Sequence, residues 1–430
     1  MNVSRYEESE LWLRRAESSI PLGSQTFSKS RTQYPVGVSP LYALKAKGAH
    51  LWDVDGNKYI DYVSALACVT LGYGDRGIER AIKKQLSSGI SMSLPGKLES
   101  IVAEKLIGMI PSAEKVRFGK NGTDATSAAI RLARAHTGKD HIFVCGYHGW
   151  QDWYIASTTR DKGIPKSTGA LTHKFNYNDI ESLKKLEKEF ENNVAAVIIE
   201  PMNISWPKAS FLQDIRDLCT RKGIVLVFDE TITGFRFANG GAQELFGVTP
   251  DLSTFGKGMA NGMPISAIVG KTEIMDEMEN IFFSGTFGGE LLSLAAANEV
   301  LNRYSNENVP EKLQEAGHDV MMRLSTLIEE LGLSSVVSLS GHPSWSFVTW
   351  RDASGVSADA LKTYFAQLMY GNGLLILGTH NVTLAHTLKI RNDTLDIYRL
   401  VLSDIANSLA DGNLLEKLKV EPLSPLFKVR

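Results

Sequence analysis

In the stretch DLSTFGKGMANGMP, residues 251 to 264, Lys257 lies between two glycines after a short β-like run. Lysines belong on solvated faces. One crowded by Gly, Ala, Met and Phe is either a local accident or an amine held in a pocket, where burial disfavours the ammonium and leaves a nucleophile. Twenty-eight residues earlier, GIVLVFDE ends a wholly apolar run in Asp229. A carboxylate there is partly desolvated and needs a cation, although a helix N-cap or an ion pair with Arg236 would also serve. VRFGKNGTDATSAAIRLARA reads as strand, Gly-rich turn and helix. Its N–H groups at Gly122 and Thr123, with the Thr123 hydroxyl, form an anion site or simply a capped helix start. HIFVCGYHGWQDWY ends its apolar run in Tyr147 and His148, an aromatic plate for a flat ring or ordinary core. Together these provide an anion cradle, a plate, an acid for a ring nitrogen and a crowded amine. Those are the requirements of pyridoxal 5′-phosphate held as a Schiff base on Lys257.

Positioning these groups takes a sheet. From about residue 76, short apolar runs alternate with helical segments: KVRFG (115–119), HIFVCG (141–146), NVAAVIIEP (193–201), GIVLVFDE (223–230), LSTFG (252–256) and ISAIVG (265–270). Several lack polar alternation, as strands covered on both faces do. The helical segments TSAAIRLARAHTG and FLQDIRDLCTRKG between them predict a parallel sheet, an α/β fold with ligands at the carboxyl ends of the strands. Before it, residues 5 to 19 predict an amphipathic helix, GSQTFSKSRTQYP a polar arm, and HLWDVDGNKYIDYVS a hairpin turning at Asp55-Gly56. After it, a long helical pattern from Val309 opens a mixed α and β region. The expected division is 1–65 for helix, arm and hairpin, 66–310 for the large domain and 311–430 for a smaller one.

The composition narrows the partners. Lys+Arg 46 against Asp+Glu 48 gives a net charge of −2, so neither nucleic acid nor an anionic membrane is expected. Cys68, Cys145 and Cys219 are widely spaced and odd in number, as reduced thiols of a cytoplasmic protein are. No apolar run approaches the roughly 20 residues of a membrane helix. No histidine spacing suggests a metal site, and HExxH, Walker A and GxSxG are absent. GKGMANG, 256 to 262, matches a dinucleotide-type glycine pattern with Glu273 beyond it. Pro264 and the next apolar run leave no room for the crossover helix which that pattern needs.

The motifs DETITGFR, PDLSTFGKGMANGMP, NGTDATSAAIRLARA, CGYHGW and VIIEP resemble those of class III aminotransferases of fold type I, nearest to the glutamate-1-semialdehyde 2,1-aminomutase branch. The resemblance covers roughly residues 20 to 310. It implies a mainly parallel seven-stranded sheet flanked by helices, with a smaller α+β domain built from the N- and C-terminal parts. It makes Lys257 the Schiff-base lysine and Asp229 the partner of the pyridine nitrogen. Gly122 and Thr123 go to the phosphate, Tyr147 stacks on the ring with His148 beside it, and Thr231 lies under the other face. Glu200 borders the cofactor or has a structural role. By the same resemblance FSGTFGG brings Thr286 to the phosphate of a neighbouring subunit, which implies a homodimer with shared sites.

Substrate recognition departs from that branch. Where its arm carries an arginine for the substrate carboxylate, GSQTFSKS offers Lys29, a point charge instead of a bidentate fork. Leu66 replaces a tryptophan beside the pocket. The gating glutamate has no evident counterpart, with Gly378, His380 or Asn381 near its place, and HGWQDWY adds Trp150 and Trp153. The stretches GSQTFSK, GYHGWQDWY and SGTFGGE are similar to ones in sugar aminotransferases of surface-polysaccharide pathways. The expected activity is therefore amino transfer, with L-glutamate as the family's usual donor, to an aldehyde or ketone of a non-standard, sugar-derived acceptor. Aminomutase is the alternative, and a non-catalytic relative that merely binds the cofactor is a third.

Overall fold

The computed structural model describes residues 5–424 and divides into two compact units. The larger is Arg76–Glu311; the smaller joins the chain up to Asp75 with the stretch from Lys312 onward. Seven strands form the larger unit's sheet: β1 (Lys115–Gly119), β2 (His141–Cys145), β3 (Thr172–Lys174), β4 (Val194–Ile199), β5 (Val225–Asp229), β6 (Leu252–Phe255) and β7 (Ser266–Gly270). Their order is β1-β7-β6-β5-β4-β2-β3. Neighbouring strands from β6 to β3 run parallel, while β7 is antiparallel to both β6 and β1. The apolar runs of the sequence correspond to six strands; the brief β3 lies outside them.

Strand residues alternate between the two faces. Ile142, Val144, Ala196, Ile198, Val225 and Val227 pack with Ala125, Ala128, Ala129 and Ala133 of helix α1 (Gly122–Thr137). Phe143, Val197, Ile199, Leu226 and Phe228 pack on the other face with Phe211, Leu212, Ile215 and Cys219 of helix α2 (Phe211–Lys222). Both faces are therefore core, which explains why these runs carry no polar alternation. Only one 3₁₀ turn, Lys257–Ala260, separates β6 from the approach to β7, so the GKGMANG stretch has no crossover helix.

In the smaller unit, Ala43–Lys47, His50–Asp53 and Lys58–Asp61 pair antiparallel, and Leu374–Leu375 adds parallel to the last of them. The expected hairpin is thus present. Val337–His342, Trp345–Trp350 and Thr379–Asn381 form a second, antiparallel sheet. Just beyond the hairpin, Ser64, Ala65, Leu66 and Ala67 are all left-handed, with φ of 47, 51, 60 and 67°. Left-handed backbone costs a non-glycine residue about 1–2 kcal/mol, so neighbouring groups must hold the turn. Asp61 Oδ1 accepts from the Val63 and Ser64 N–H groups at 2.7 and 3.1 Å. Asn381 Nδ2 donates to Val63 O, and Ser64 Oγ donates to Asn381 O. Among the described residues no helix is long and apolar enough to cross a membrane.

Candidate active site

The carboxyl ends of β2 and β5, the turn after β6 and the start of α1 converge on a cavity of about 220 Å³. Gly122, Thr123, Tyr147, His148, Trp150, Glu200, Asp229, Thr231 and Lys257 all line it. Residues spread from Gly122 to Lys257 meet because parallel strands all point their carboxyl ends the same way.

Asp229, the last residue of β5, is buried. Its Oδ1 accepts from Thr231 N (3.1 Å), Thr231 Oγ1 (2.6 Å) and Thr254 Oγ1 (3.1 Å), while its Oδ2 meets His148 Nδ1 at 2.9 Å. The ring that meets its Oδ2 is thus that of His148. Burial pushes the carboxyl up, but the His148 contact and the Thr231 donors outweigh it and hold Asp229 below the usual carboxylate range. The crowded Oδ1 leaves Oδ2 as the oxygen with acceptor capacity to spare. His148 is buried, stacks on Trp153 with centroids 6.5 Å apart, and keeps Nε2 without a hydrogen-bond partner.

At the other end, Asn121 precedes α1, and Asp124 Oδ2 takes the Lys120 and Asn121 N–H groups at 3.0 and 2.8 Å. The next N–H groups, at the helix start, have no partner within the helix. The Thr123 hydroxyl beside them is buried and unpartnered. Gly149 has φ of 102°, and a Cβ there would collide with Thr123 Oγ1. The loop therefore comes close only because position 149 has no side chain. Thr126 Oγ1 pins it by donating to His148 O at 2.8 Å.

Glu200 joins two loops: Oε2 accepts the Tyr147 N–H at 2.9 Å and Oε1 the Asn203 side-chain amide at 3.0 Å. Gly146, with φ of 118°, leaves room for that carboxylate. Lys257 is half-buried with φ of 39°. A left-handed lysine directly after a buried strand is a strained conformation that its surroundings must enforce, and such outliers gather at functional positions.

Other candidates lie elsewhere. Trp153 is core, packed with Ile142 and Val144 and donating its indole N–H to Ser127 Oγ at 3.0 Å. His380 is buried in the smaller unit, its ring nitrogens engaged by Ser346 Oγ and Tyr398 OH, and burial pushes its pKa down to about 4. It is a neutral core histidine. Lys29 and Leu66 line a cavity of about 240 Å³ within the smaller unit, beside Tyr34, Tyr42, Asp61 and Tyr73. Thr286 is exposed and lines a different cavity of the larger unit, of about 380 Å³, with Lys120 and Arg131. Thr126 and Thr254 were not singled out in the sequence. Neither carries a local signal, because each acts on a residue distant in the chain.

The chain matches the family model described as aminotransferase class-III over residues 33–405. It is 36% identical over 400 residues to a glutamate-1-semialdehyde 2,1-aminomutase of Geotalea daltonii, covering 87% of this chain and 92% of that protein. It is 35% identical over 345 residues to a 3-aminobutyryl-CoA aminotransferase of Cloacimonas acidaminovorans, covering 78% and 82%. Among solved structures it is similar to the pyridoxal phosphate internal aldimine form of the FumI protein of Sphingopyxis sp. MTA144, with TM-score 0.88, 30% identity and coverage of 96% and 98%.

Proposed function

The chain belongs to the class III aminotransferases, and within that family we propose that it moves an amino group from L-glutamate to an aldehyde or ketone of a non-standard, sugar-derived acceptor. It is a pyridoxal-phosphate-dependent transaminase of fold type I. The observation that carries the assignment of its site is the set of polar groups that converge on the 220 Å³ cavity. Thr123 Oγ1 is orphaned at a helix start, Asp229 Oδ2 has acceptor capacity to spare, and Lys257 is on the same wall. An anion, a ring nitrogen and an aldehyde are what such atoms complement.

Bound there, pyridoxal 5′-phosphate supplies an aldehyde that exchanges with primary amines and a ring that withdraws electrons from the carbon being deprotonated. Gly122 and Thr123 would hold the phosphate, Tyr147 and Thr231 the two ring faces, and Lys257 the aldehyde carbon. Asp229, held below the usual carboxylate range, would keep a proton on the ring nitrogen. Once the donor's amine has displaced it from that carbon, Lys257 Nζ would take the proton from the donor's amine-bearing carbon. Glu200 keeps the Tyr147 loop against the cavity through the Tyr147 N–H.

Lys29 and Leu66, standing where the aminomutase branch has arginine and tryptophan, support transfer to an acceptor other than glutamate-1-semialdehyde. The aminomutase reading is the alternative, favoured by the relative from Geotalea daltonii. Single turnover of the cofactor-loaded enzyme with L-glutamate separates the two. Transfer releases one 2-oxoglutarate per site. Efficient conversion of glutamate-1-semialdehyde to 5-aminolevulinate, with no response to glutamate, would reverse the assignment. Borohydride reduction of the loaded protein should place the cofactor's mass on the peptide carrying Lys257.

The active unit in this reading is a cytoplasmic homodimer in which Thr286 serves the partner's phosphate. The strongly exposed Phe282 and Phe287 beside it suit a covered surface. Mixed dimers of Lys257→Ala and Thr286→Ala chains test this. One site then carries neither lesion, so the mixture should retain more cofactor than either parent.

A further inference from the structure

The cavity of about 240 Å³ in the smaller unit sets three tyrosines and one carboxylate among apolar walls such as Leu51 and Leu375. Two of the tyrosines have engaged their hydroxyl protons. Tyr42 donates to Gly23 O at 2.7 Å, and Tyr73 donates to Asp61 Oδ2 at 2.7 Å. Tyr34 differs. It is 8% exposed, and its hydroxyl has no hydrogen-bond partner among the described residues. Its ring packs against Tyr370 with centroids 6.0 Å apart. A donor buried in that way is satisfied only by what the cavity takes in. Burial pushes the Tyr34 pKa well above the ordinary tyrosine value, and Tyr370, Asp61 and Tyr73 add to it, so the group stays a donor at physiological pH.

Asp61, 2% exposed, supplies the acceptor. A carboxylate has about four acceptor positions. Oδ1 uses two on the Val63 and Ser64 N–H groups, and Oδ2 uses one on the Tyr73 hydroxyl. Oδ2 therefore keeps one. Tyr73 is itself fixed, since its N–H and carbonyl both pair with Gly48. The turn that Asp61 holds places Ala65 and Leu66 in the cavity lining through four left-handed residues in succession. Strain of that kind persists where surrounding structure enforces it, and it gathers at ligand-binding positions.

We propose that this cavity binds an uncharged, hydroxyl-bearing ring, one hydroxyl of which donates to Asp61 Oδ2 and accepts from the Tyr34 hydroxyl. A hydroxyl both donates and accepts, so it matches a donor and an acceptor that face one cavity. An ammonium has no lone pair for Tyr34. A carboxylate or phosphoryl group has no proton for Asp61 and is repelled by it. The volume lies below the roughly 300–1,000 Å³ of pockets for drug-sized ligands, which suits a single ring. Lys29, the other charged residue of the lining, is exposed and is not required. That the ring belongs to the amino acceptor rests on the aminotransferase reading, in which Lys29 and Leu66 stand at substrate positions; that the cavity binds a hydroxyl-bearing ring does not.

Saturation-transfer NMR on the cofactor-loaded protein tests this, with cyclohexanol, D-glucose and D-galactose as probes. Cyclohexanecarboxylate and N,N-dimethylcyclohexylammonium are the charged controls, and neither condenses with an aldehyde. Cyclohexanol should bind in the millimolar range or better, and the charged rings should not. A hexose outcompeting cyclohexanol puts several ring hydroxyls in the cavity, and the reverse puts one there. Tyr34→Phe removes a single oxygen and should weaken cyclohexanol about fivefold or more, the range of a neutral hydrogen bond. Its melting temperature should hold or rise, because the hydroxyl has no protein partner to lose. Leu66→Trp should abolish binding by filling the cavity, with the far-ultraviolet circular dichroism unchanged. The proposal is overturned if cyclohexanol does not bind the wild type or if either charged ring binds as well. It is also overturned if Tyr34→Phe binds cyclohexanol unchanged, the result for a cavity that holds only water, or if that variant melts lower, the result for a structural hydroxyl. Release of 2-oxoglutarate from L-glutamate is measured separately on the wild type. Its failure counts against the transaminase reading and not against the ring site.

Discussion

Asp229 and Glu230 leave β5 toward opposite sides, one into the 220 Å³ cavity and the other toward the short helix Ala242–Phe246. Both are buried and both accept hydrogen bonds. Glu230 takes the N–H groups of Ala242 and Gln243 at 2.7 and 2.8 Å, and the Thr233 hydroxyl besides. Burial nevertheless pushes Glu230 up to about 7, whereas Asp229 stays below the usual range. The difference is the partner's charge. Neutral donors offset only part of the desolvation of a carboxylate, while an imidazole that can carry charge reverses it. One side of the strand end is arranged to keep an anion, and the other to fix a helix.

The comparison breaks most visibly at Asp229→Asn. The carboxamide keeps the shape and loses the charge that, in the proposed reading, holds the ring-nitrogen proton. Single turnover with glutamate should slow by about a hundredfold or more. Next is His148→Phe, which keeps a ring against Trp153 and removes the partner of Asp229. Burial then dominates, the Asp229 carboxyl rises, and a higher pH is needed to ionise it. The acid limb of the rate profile should move upward, with turnover at neutral pH down roughly tenfold. An unmoved acid limb would mean that His148 only packs.

Glu230 should answer in stability instead of rate. Glu230→Gln leaves an amide N–H facing backbone donors, so unfolding by denaturant should show a loss of about 1–3 kcal/mol, with activity per folded molecule unchanged. The wild type carries a matching pH signature. The folded carboxyl keeps its proton to about 7, while the unfolded chain releases it near the ordinary glutamate value. This group's contribution to stability therefore falls as pH rises through that window, and the slope should flatten in Glu230→Gln. Asp229 has the opposite sign: its contribution is present above the ordinary carboxylate range and is lost as pH falls through its lower folded value. The smallest effect is expected at Thr254→Val, which removes one of three donors to Asp229 Oδ1. It should cost about 1 kcal/mol and leave the rate within roughly twofold.

The sequence made the cavity legible because its groups sit at the ends of uniformly apolar runs, where a charge is conspicuous. β5 and β6 could be read from composition alone, and Asp229 and Lys257 with them. β3 escaped because three residues, Thr172–Lys174, are too few to show a period. The reversed direction of β7 also left no mark, since a strand buried on both faces looks the same whichever way it runs. His380 and Trp153 stood out as chemically able side chains, yet both are core. A histidine's role depends on what its nitrogens meet, and Ser346 and Tyr398 are 34 positions before and 18 after His380. Thr126 and Thr254 were silent for the same reason.

The edge position of β1 has a consequence for how the protein is made. Among the described residues its one sheet neighbour is β7, and Gly119 pairs with Ser266, about 150 residues later in the chain. At synthesis rates of roughly 5–20 residues per second, the nascent β1 waits many seconds for its partner to leave the ribosome. Meanwhile the parallel strands β2 to β6 have already emerged. The turn leading into α1, on which Gly122 and Thr123 sit, is therefore anchored among the last parts of the sheet, and the proposed anion cradle forms only once the larger unit is nearly complete.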